Sequence, residues 1–366
     1  MVLARYGDST ASEDAKLLGE SIQMPFSGRV AKSRFLKGAM SERMASWDHK
    51  IYPSEASPLT TLWACMRGIP SWPPGSGFGE SQPCRSSDIQ LADRMGMSFG
   101  KPTPLDKSGI REIVNQFAYT AEAAYRTGFD GVQLHGAHGY LIAQFLSQTT
   151  NNRTDEYGGS IETYRSRIIK EITEAIRVKV PDRKFVIGIK VNSVEFQAKG
   201  FQPEEAAELC KQLEAMEIDF IELSGGTYEE FGFKHSDTGI KYSLGTELVC
   251  PTNYSTTSQT VVYVTGGFRS TSAMAEAVRL GTCAGVGLGR PAGSDPLLPN
   301  DIIQRNVTGA TDMKIPPHEF GLGLLATGVQ MEAIARGKPV IDLSDPRSLP
   351  VLQRPRKVTT SKKRRI

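Results

Sequence analysis

The sequence predicts an α/β fold, a (β/α)8 barrel of the TIM type, and three observations carry that expectation. From Asp106 onward, short apolar runs of strand length alternate with longer stretches of helical spacing, which is the pattern of a parallel sheet covered by helices. Polar residues cluster just past one such run, in Leu134-His135-Gly136-Ala137-His138-Gly139-Tyr140, where a barrel builds its active site. The last two runs both end in glycine-rich turns, Thr265-Gly266-Gly267-Phe268-Arg269 and Gly287-Leu288-Gly289-Arg290-Pro291.

The elements follow in order. Arg34–Met40 is the first expected strand. Ile110, Ile113, Val114, Phe117, Ala118 and Ala121 recur at helical spacing, and Gly128 ends that helix. Strand Gly131–Leu134 comes next, then a loop rich in Asn, Thr and Gly. The helix after it carries Tyr164, Ile168, Ile169, Ile172 and Ile176. Strand Phe185–Val191 precedes a helix that Pro203 opens at its first turn, with Ala206, Cys210 and Leu213 on one face. Strands Asp219–Leu223, Val261–Val264 and Ala284–Leu288 complete the set, with helix Thr271–Leu280 between the last two.

The stretch from Asp48 to Cys84 does not fit this alternation. It is rich in Pro and Gly and keeps neither strand nor helix period. Each βα unit needs about thirty residues, so two units do not fit there. The barrel is therefore expected to be incomplete or distorted over 48–84, with an irregular segment replacing two strands. From Lys241 to Thr260, where a covering helix is due, the residues are mostly polar and weakly periodic. The organisation expected is an N-terminal extension over 1–24, a barrel over 25–300, a C-terminal helical closure over 301–352 and a basic disordered tail over 353–366.

Composition narrows the function. A length of 366 residues, 39% of them hydrophobic, suits one large core. A formal charge of +3 gives no reason to expect nucleic acid as a partner. The five scattered cysteines lack metal or disulfide spacing, which favours a reducing compartment. Residues Met1 to Glu20 carry no signal-peptide run, and no apolar stretch is long enough to span a bilayer. A cytoplasmic protein without metal or membrane contact is expected.

His135, His138 and Tyr140 would share the barrel mouth, where two imidazoles and a phenol can grip a carbonyl oxygen and deliver a proton. A metal site or a pair of structural histidines are the alternatives. The glycines Gly266, Gly267 and Gly289, with Arg290, suit phosphate, because loops after the seventh and eighth strands bind it through backbone N–H groups. Tight turns alone would also account for those glycines. Lys190 closes an apolar strand, so it either snorkels at the rim or faces an anionic ligand.

The run from His135 through Ser147, continued by Asn151-Asn152-Arg153-Thr154-Asp155-Glu156-Tyr157-Gly158-Gly159-Ser160, resembles the signature of the old yellow enzyme family of FMN-dependent ene-reductases. Phe26–Val30, Arg34–Ser41, Asp88–Leu91, Thr265–Phe268 and Gly289–Pro291 are similar to that family too, collinear from about Pro25 to Pro291. The resemblance implies FMN as cofactor, NADH or NADPH as reductant, and a small-molecule enone or related substrate. Reduction of the C=C bond of α,β-unsaturated carbonyl compounds would be the activity, with fungal-type secondary metabolism as a setting and a homo-oligomer as the assembly. It implies that His135 and His138 hold the ligand oxygen and that Tyr140 donates the proton. By the same likeness Lys190 lies near the flavin N1–O2 edge and Gly266, Gly267, Gly289 and Arg290 bind the phosphate. Ala39, Met40 and Ser41 sit against the isoalloxazine. The chain departs from the family where strands two and three should be, and no cysteine cluster for an iron–sulfur centre follows the barrel. A flavin-free barrel remnant and a different FMN-barrel oxidoreductase are the rival readings.

Overall fold

A computed structural model of the chain describes residues 4–7, 12–40, 84–90, 101–195, 199–225, 259–315 and 319–348. Near the start, helix α1 (Ser12–Leu18) precedes a small antiparallel pair, β1 (Ile22–Gln23) with β2 (Val30–Ala31). The central sheet follows: β3 (Phe35–Lys37), β6 (Gly131–Gly136), β7 (Val186–Val194), β8 (Phe220–Gly225), β9 (Val261–Thr265) and β10 (Gly285–Leu288). Its spatial order is β3-β10-β9-β8-β7-β6, every neighbour parallel. This is the strand order of a (β/α)8 barrel between its fourth strand and its first. Among the described residues, no strand bridges β3 and β6 to close the ring. A separate short parallel pair, β4 (Cys84–Arg85) with β5 (Thr103–Pro104), stands just ahead of the first long helix. The irregular segment expected up to Cys84 lies outside the described residues until that strand begins, as do most of Lys241–Thr260 and the basic tail.

The covering helices obey their sequence signals. In α2 (Lys107–Arg126), the carboxylate of Asp106 caps the amino end, accepting from Gly109 N at 2.7 Å. Ile110, Ile113, Val114, Ala118 and Ala121 are buried on one face, and Gly128 leaves the helix at φ +86. In α4 (Arg167–Lys179), Ile168, Ile169, Ile172 and Ile176 are buried. Tyr164 is not part of that face. It lies in a π-helical turn, Ile161–Arg165, that precedes the helix and leaves its ring exposed, while Arg165 takes the buried place. The Arg165 guanidinium donates there to Leu146 O and to Glu205. Glu205 also accepts from Gln202 N at 3.3 Å, closing the first turn of α5 (Pro203–Ala215) behind its Pro203. Helix α6 (Thr271–Arg279) is capped by Ser270.

The first strand is shorter than the expected Arg34–Met40. Gly38 N gives the last ladder bond to Leu288 O at 2.9 Å. Beyond that level β10 has already turned into helix α7 (Arg290–Ser294), so among the described residues Ala39 and Met40 have no strand to pair with. Helices α3 (Leu141–Leu146), α8 (Leu298–Arg305) and α9 (Phe320–Ala335) complete the covering layer. No helix among the described residues is long and apolar enough to cross a membrane.

The outer face of the sheet is aliphatic: Leu134, Ile187, Ile189, Ile221, Leu223, Val262, Val264 and Val286 are buried against the helices. The inner face is stratified instead. Phe220 and Tyr263 meet edge to face at 5.8 Å at the amino-terminal end, over Ile22 and Met24. At that same end Asp219, fully buried, accepts from Phe26 N at 3.1 Å, Ser27 N at 2.8 Å and Ile187 N at 3.3 Å. It staples the Pro25–Gly28 turn beneath the sheet. Asp219→Ala would orphan three N–H donors, and a loss of about 3 kcal/mol in urea-unfolding stability is expected. An unchanged midpoint would contradict this role.

Candidate active site

Two polar layers lie above the aromatic base, both on the inner face and toward the carboxyl ends of the strands. Parallel pairing places His135 beside Lys190 and Lys190 beside Glu222. In the lower layer the fully buried Glu222 carboxylate accepts three bonds: from Lys190 Nζ at 2.8 Å, Thr265 Oγ1 at 2.6 Å and Gln133 Nε2 at 2.7 Å. Lys190 therefore does not snorkel, and the anion it meets belongs to the protein. A Cβ at Gly287 would stand 1.7 Å from Thr265 Oγ1, so only glycine leaves that hydroxyl room to reach the carboxylate.

The upper layer holds the histidines. The ring centroids of His135 and His138 are 5.4 Å apart and nearly perpendicular, and Tyr140 lies 4.5 Å from His135. This closeness follows from a left-handed turn, with His138 at φ 59 and Gly139 at φ 74. Several bonds hold the turn. Asn192 Oδ1 accepts from His138 N at 3.1 Å, and Asn192 Nδ2 donates to Glu195 Oε1 at 3.1 Å. The other Glu195 oxygen accepts from Ser147 Oγ at 2.5 Å and Phe201 N at 3.0 Å. A break of register at Asn192–Val194 in β7 is the bulge that aims Asn192 at the histidine turn. His138 Nε2 lies 3.0 Å from Ser224 Oγ. Burial raises the Glu195 carboxyl above its usual range against the pull of its hydrogen bonds.

Both imidazoles are neutral in this setting. Burial, and then the Lys190 ammonium, hold His135 at about 3, and the same causes with His135 added hold His138 well below its ordinary value. His135 Nδ1 faces Ala137 N at 3.4 Å, which leaves Nε2–H as the donor toward the mouth. Because the unfolded chain binds these protons more tightly, the contribution to stability is complete above the ordinary histidine pKa of about 6.5 and is lost as pH falls from there toward 3. Binding of a ligand oxygen between the imidazoles is accordingly expected to stay level between about pH 6 and pH 8 as far as the histidines are concerned. A titration midpoint near 6.5 that vanishes in His135→Ala would refute the neutral pair. Among the described residues no cluster of three or more metal-ligating side chains exists.

The glycine turns lie side by side, since β9 and β10 pair Thr265 with Gly287. Gly266 and Gly267 take φ 139 and φ 71, and Gly289 precedes α7. Met40 reaches this corner, its sulfur 3.6 Å from where a Gly289 Cβ would stand. Arg290 is lowered to about 10 by burial and then by the neighbouring Arg269, which burial also lowers. A buried guanidinium beside two glycine turns suits a phosphate dianion. The residues fit FMN. Ala39 is exposed on the same side, while Ser41 lies outside the described residues.

Glu222, Gln133, Asn192, Ser224, Glu195 and Arg269 were not singled out from sequence. Glu222 left a trace, a charge inside the apolar run Phe220–Leu223. The Asn192–Glu195 link depends on a bulge that no sequence period announces.

A parallel sheet in the strand order of a (β/α)8 barrel, with two glycine turns side by side and a buried imidazole pair at its carboxyl end, suits a flavin oxidoreductase. Residues 80–308 match the model of the NADH:flavin oxidoreductase / NADH oxidase family. The NADH-dependent flavin oxidoreductase nadA of Aspergillus parasiticus is 33% identical over 410 residues, spanning 93% of this chain and 90% of that protein. Its counterpart iliE of Hypocrea jecorina is 38% identical over 223 residues, with 57% of this chain and 53% of that protein covered. The old yellow enzyme homologue of Zymomonas mobilis superposes with a TM-score of 0.58 at 20% identity, covering 80% of this chain and 94% of that one, a likeness of fold. The chain belongs to the NADH:flavin oxidoreductase family, of old yellow enzyme type, with FMN as cofactor and NAD(P)H as reductant. The nadA alignment is longer than the whole 366-residue chain, so that relative carries internal residues opposite gaps here.

Proposed function

We propose that this chain reduces the C=C bond of α,β-unsaturated carbonyl compounds. The observation that carries the reading is the neutral His135–His138 pair beside Tyr140, above a buried lysine. FMN, when bound, would carry a hydride from NAD(P)H to the substrate's β-carbon. His135 and His138 donate to the carbonyl oxygen, and as neutral donors they draw electron density toward it without giving up a proton. Tyr140 protonates the α-carbon, and the N–H groups at Gly266, Gly267 and Gly289, with Arg290, hold the phosphate. Ala39 and Met40 would line the flavin ring, and Lys190 would face its pyrimidine edge. With relatives in the fungi Aspergillus parasiticus and Hypocrea jecorina, secondary metabolism is the proposed setting and the cytoplasm the proposed location.

The test is direct. Purified protein reconstituted with FMN should be yellow, develop a long-wavelength charge-transfer band with a phenol, and oxidise NADH or NADPH faster when an enone is present. A second reading, a remnant that holds no flavin, rests on the sequence from Asp48 to Cys84, which keeps neither strand nor helix period. Protein that stays colourless after reconstitution would establish it.

A further inference from the structure

The layer beneath the histidines is unusual for a barrel interior, where branched aliphatic side chains normally fill the space. Gln133, Lys190, Glu222 and Thr265 come from four adjacent strands and converge on one carboxylate. Buried ion pairs contribute little net stability compared with well-packed apolar residues, so fold stability alone is a weak reason for this arrangement. The Glu222 carboxylate is fully buried, and a Cβ at Gly38 would stand 3.4 Å from its Oε1, so the group is confined as well as bonded. The charge it balances is felt at the mouth, where Lys190 acts on both imidazoles.

We propose that Glu222 is a positioning residue that pins Lys190 in the barrel floor and offsets its charge, thereby setting how much more tightly the site holds reduced than oxidised flavin. This rests on the placement of Lys190 beside the flavin proposed above. Glu222 works against the lysine. A bare ammonium would favour the anionic reduced ring strongly, and a carboxylate at 2.8 Å moderates that preference. Thr265 and Gln133 keep the carboxylate from turning away from the lysine.

Glu222→Gln preserves shape and removes the charge; its oxygen can still accept from Lys190 and Thr265, while Gln133 must turn its amide oxygen toward the new NH2. FMN dissociation constants are to be measured for the oxidised protein by flavin fluorescence, and the flavin midpoint potential by dye equilibration. The ratio of oxidised to reduced dissociation constants is expected to rise about tenfold, a midpoint about 30 mV more positive for a two-electron couple. The same change made in a Lys190→Met background should move the ratio less than about twofold, because a buried carboxyl left without its counter-ion takes up a proton and has no charge to lose. An unchanged potential in a Glu222→Gln protein that binds FMN overturns the proposal, and so does an equal shift in the Lys190→Met background. Should Glu222→Gln fail to fold, Glu222→Asp draws the carboxylate back from Lys190 and should shift the potential in the same direction; no shift overturns the proposal equally. Wild-type protein that cannot be loaded with FMN would overturn the cofactor reading together with this one, whereas a loaded enzyme insensitive to Glu222 overturns this one alone.

Discussion

His138→Ala is expected to weaken phenol binding about 10- to 100-fold and to slow the oxidative half-reaction by a similar factor. Reduction by NAD(P)H should stay within about threefold of wild type. The magnitude is that of a hydrogen bond to an oxygen gathering negative charge, about 1.5–3 kcal/mol. Its selectivity comes from position: His138 lies in the mouth, away from the glycine corner around Gly266 and Gly289. Stopped-flow measurement of each half-reaction separates the two, and equal loss in both would show that the imidazole serves flavin binding instead. Backbone conformation complicates alanine here, since residue 138 sits at φ 59. His138→Asn is the companion variant. Asparagine tolerates that conformation and keeps a donor, so it should retain more phenol affinity than alanine does.

How far this site was legible in the sequence depended on whether its residues act locally or across strands. The histidine turn is local: His135, His138 and Tyr140 lie within six positions on one strand and its following loop, and the structure brings their rings together. The glycine corner was legible for a related reason, since two successive strand ends carried the same kind of turn. Helix ends at Asp106, Pro203 and Gly128 followed local capping chemistry. What escaped was cross-strand. Whether Lys190 faces solvent, ligand or Glu222 depends on the register between β7 and β8, and a shift of one residue would turn the whole set outward. Tyr164 was misplaced because a π-turn changes the residue count per turn just before the helix begins. The two strands that a complete barrel would carry between β3 and β6 have no period in the sequence, and most of the stretch from 41 to 100 lies outside the described residues.

Arg290→Ala is expected to raise the dissociation constant for FMN about 10- to 100-fold, and to affect riboflavin, which lacks the phosphate, by less than about twofold. A charge-assisted bond to a phosphate oxygen is among the strong ones, about 1.5–3 kcal/mol. Here its strength has a particular origin. Burial and then the neighbouring Arg269 hold the Arg290 guanidinium at about 10, so an anion bound beside Arg290 would offset that unfavourable field as well as forming new bonds. Coupling follows from that. Removing Arg269 alone also removes the repulsion, so the loss in the Arg269→Ala/Arg290→Ala protein should differ measurably from the sum of the single losses. Strict additivity would mean that the two guanidiniums do not share one phosphate. Equal losses for FMN and riboflavin would move the anchor elsewhere in the barrel, and the glycine turns at Gly266 and Gly289 would then be no more than the bends between strands and helices.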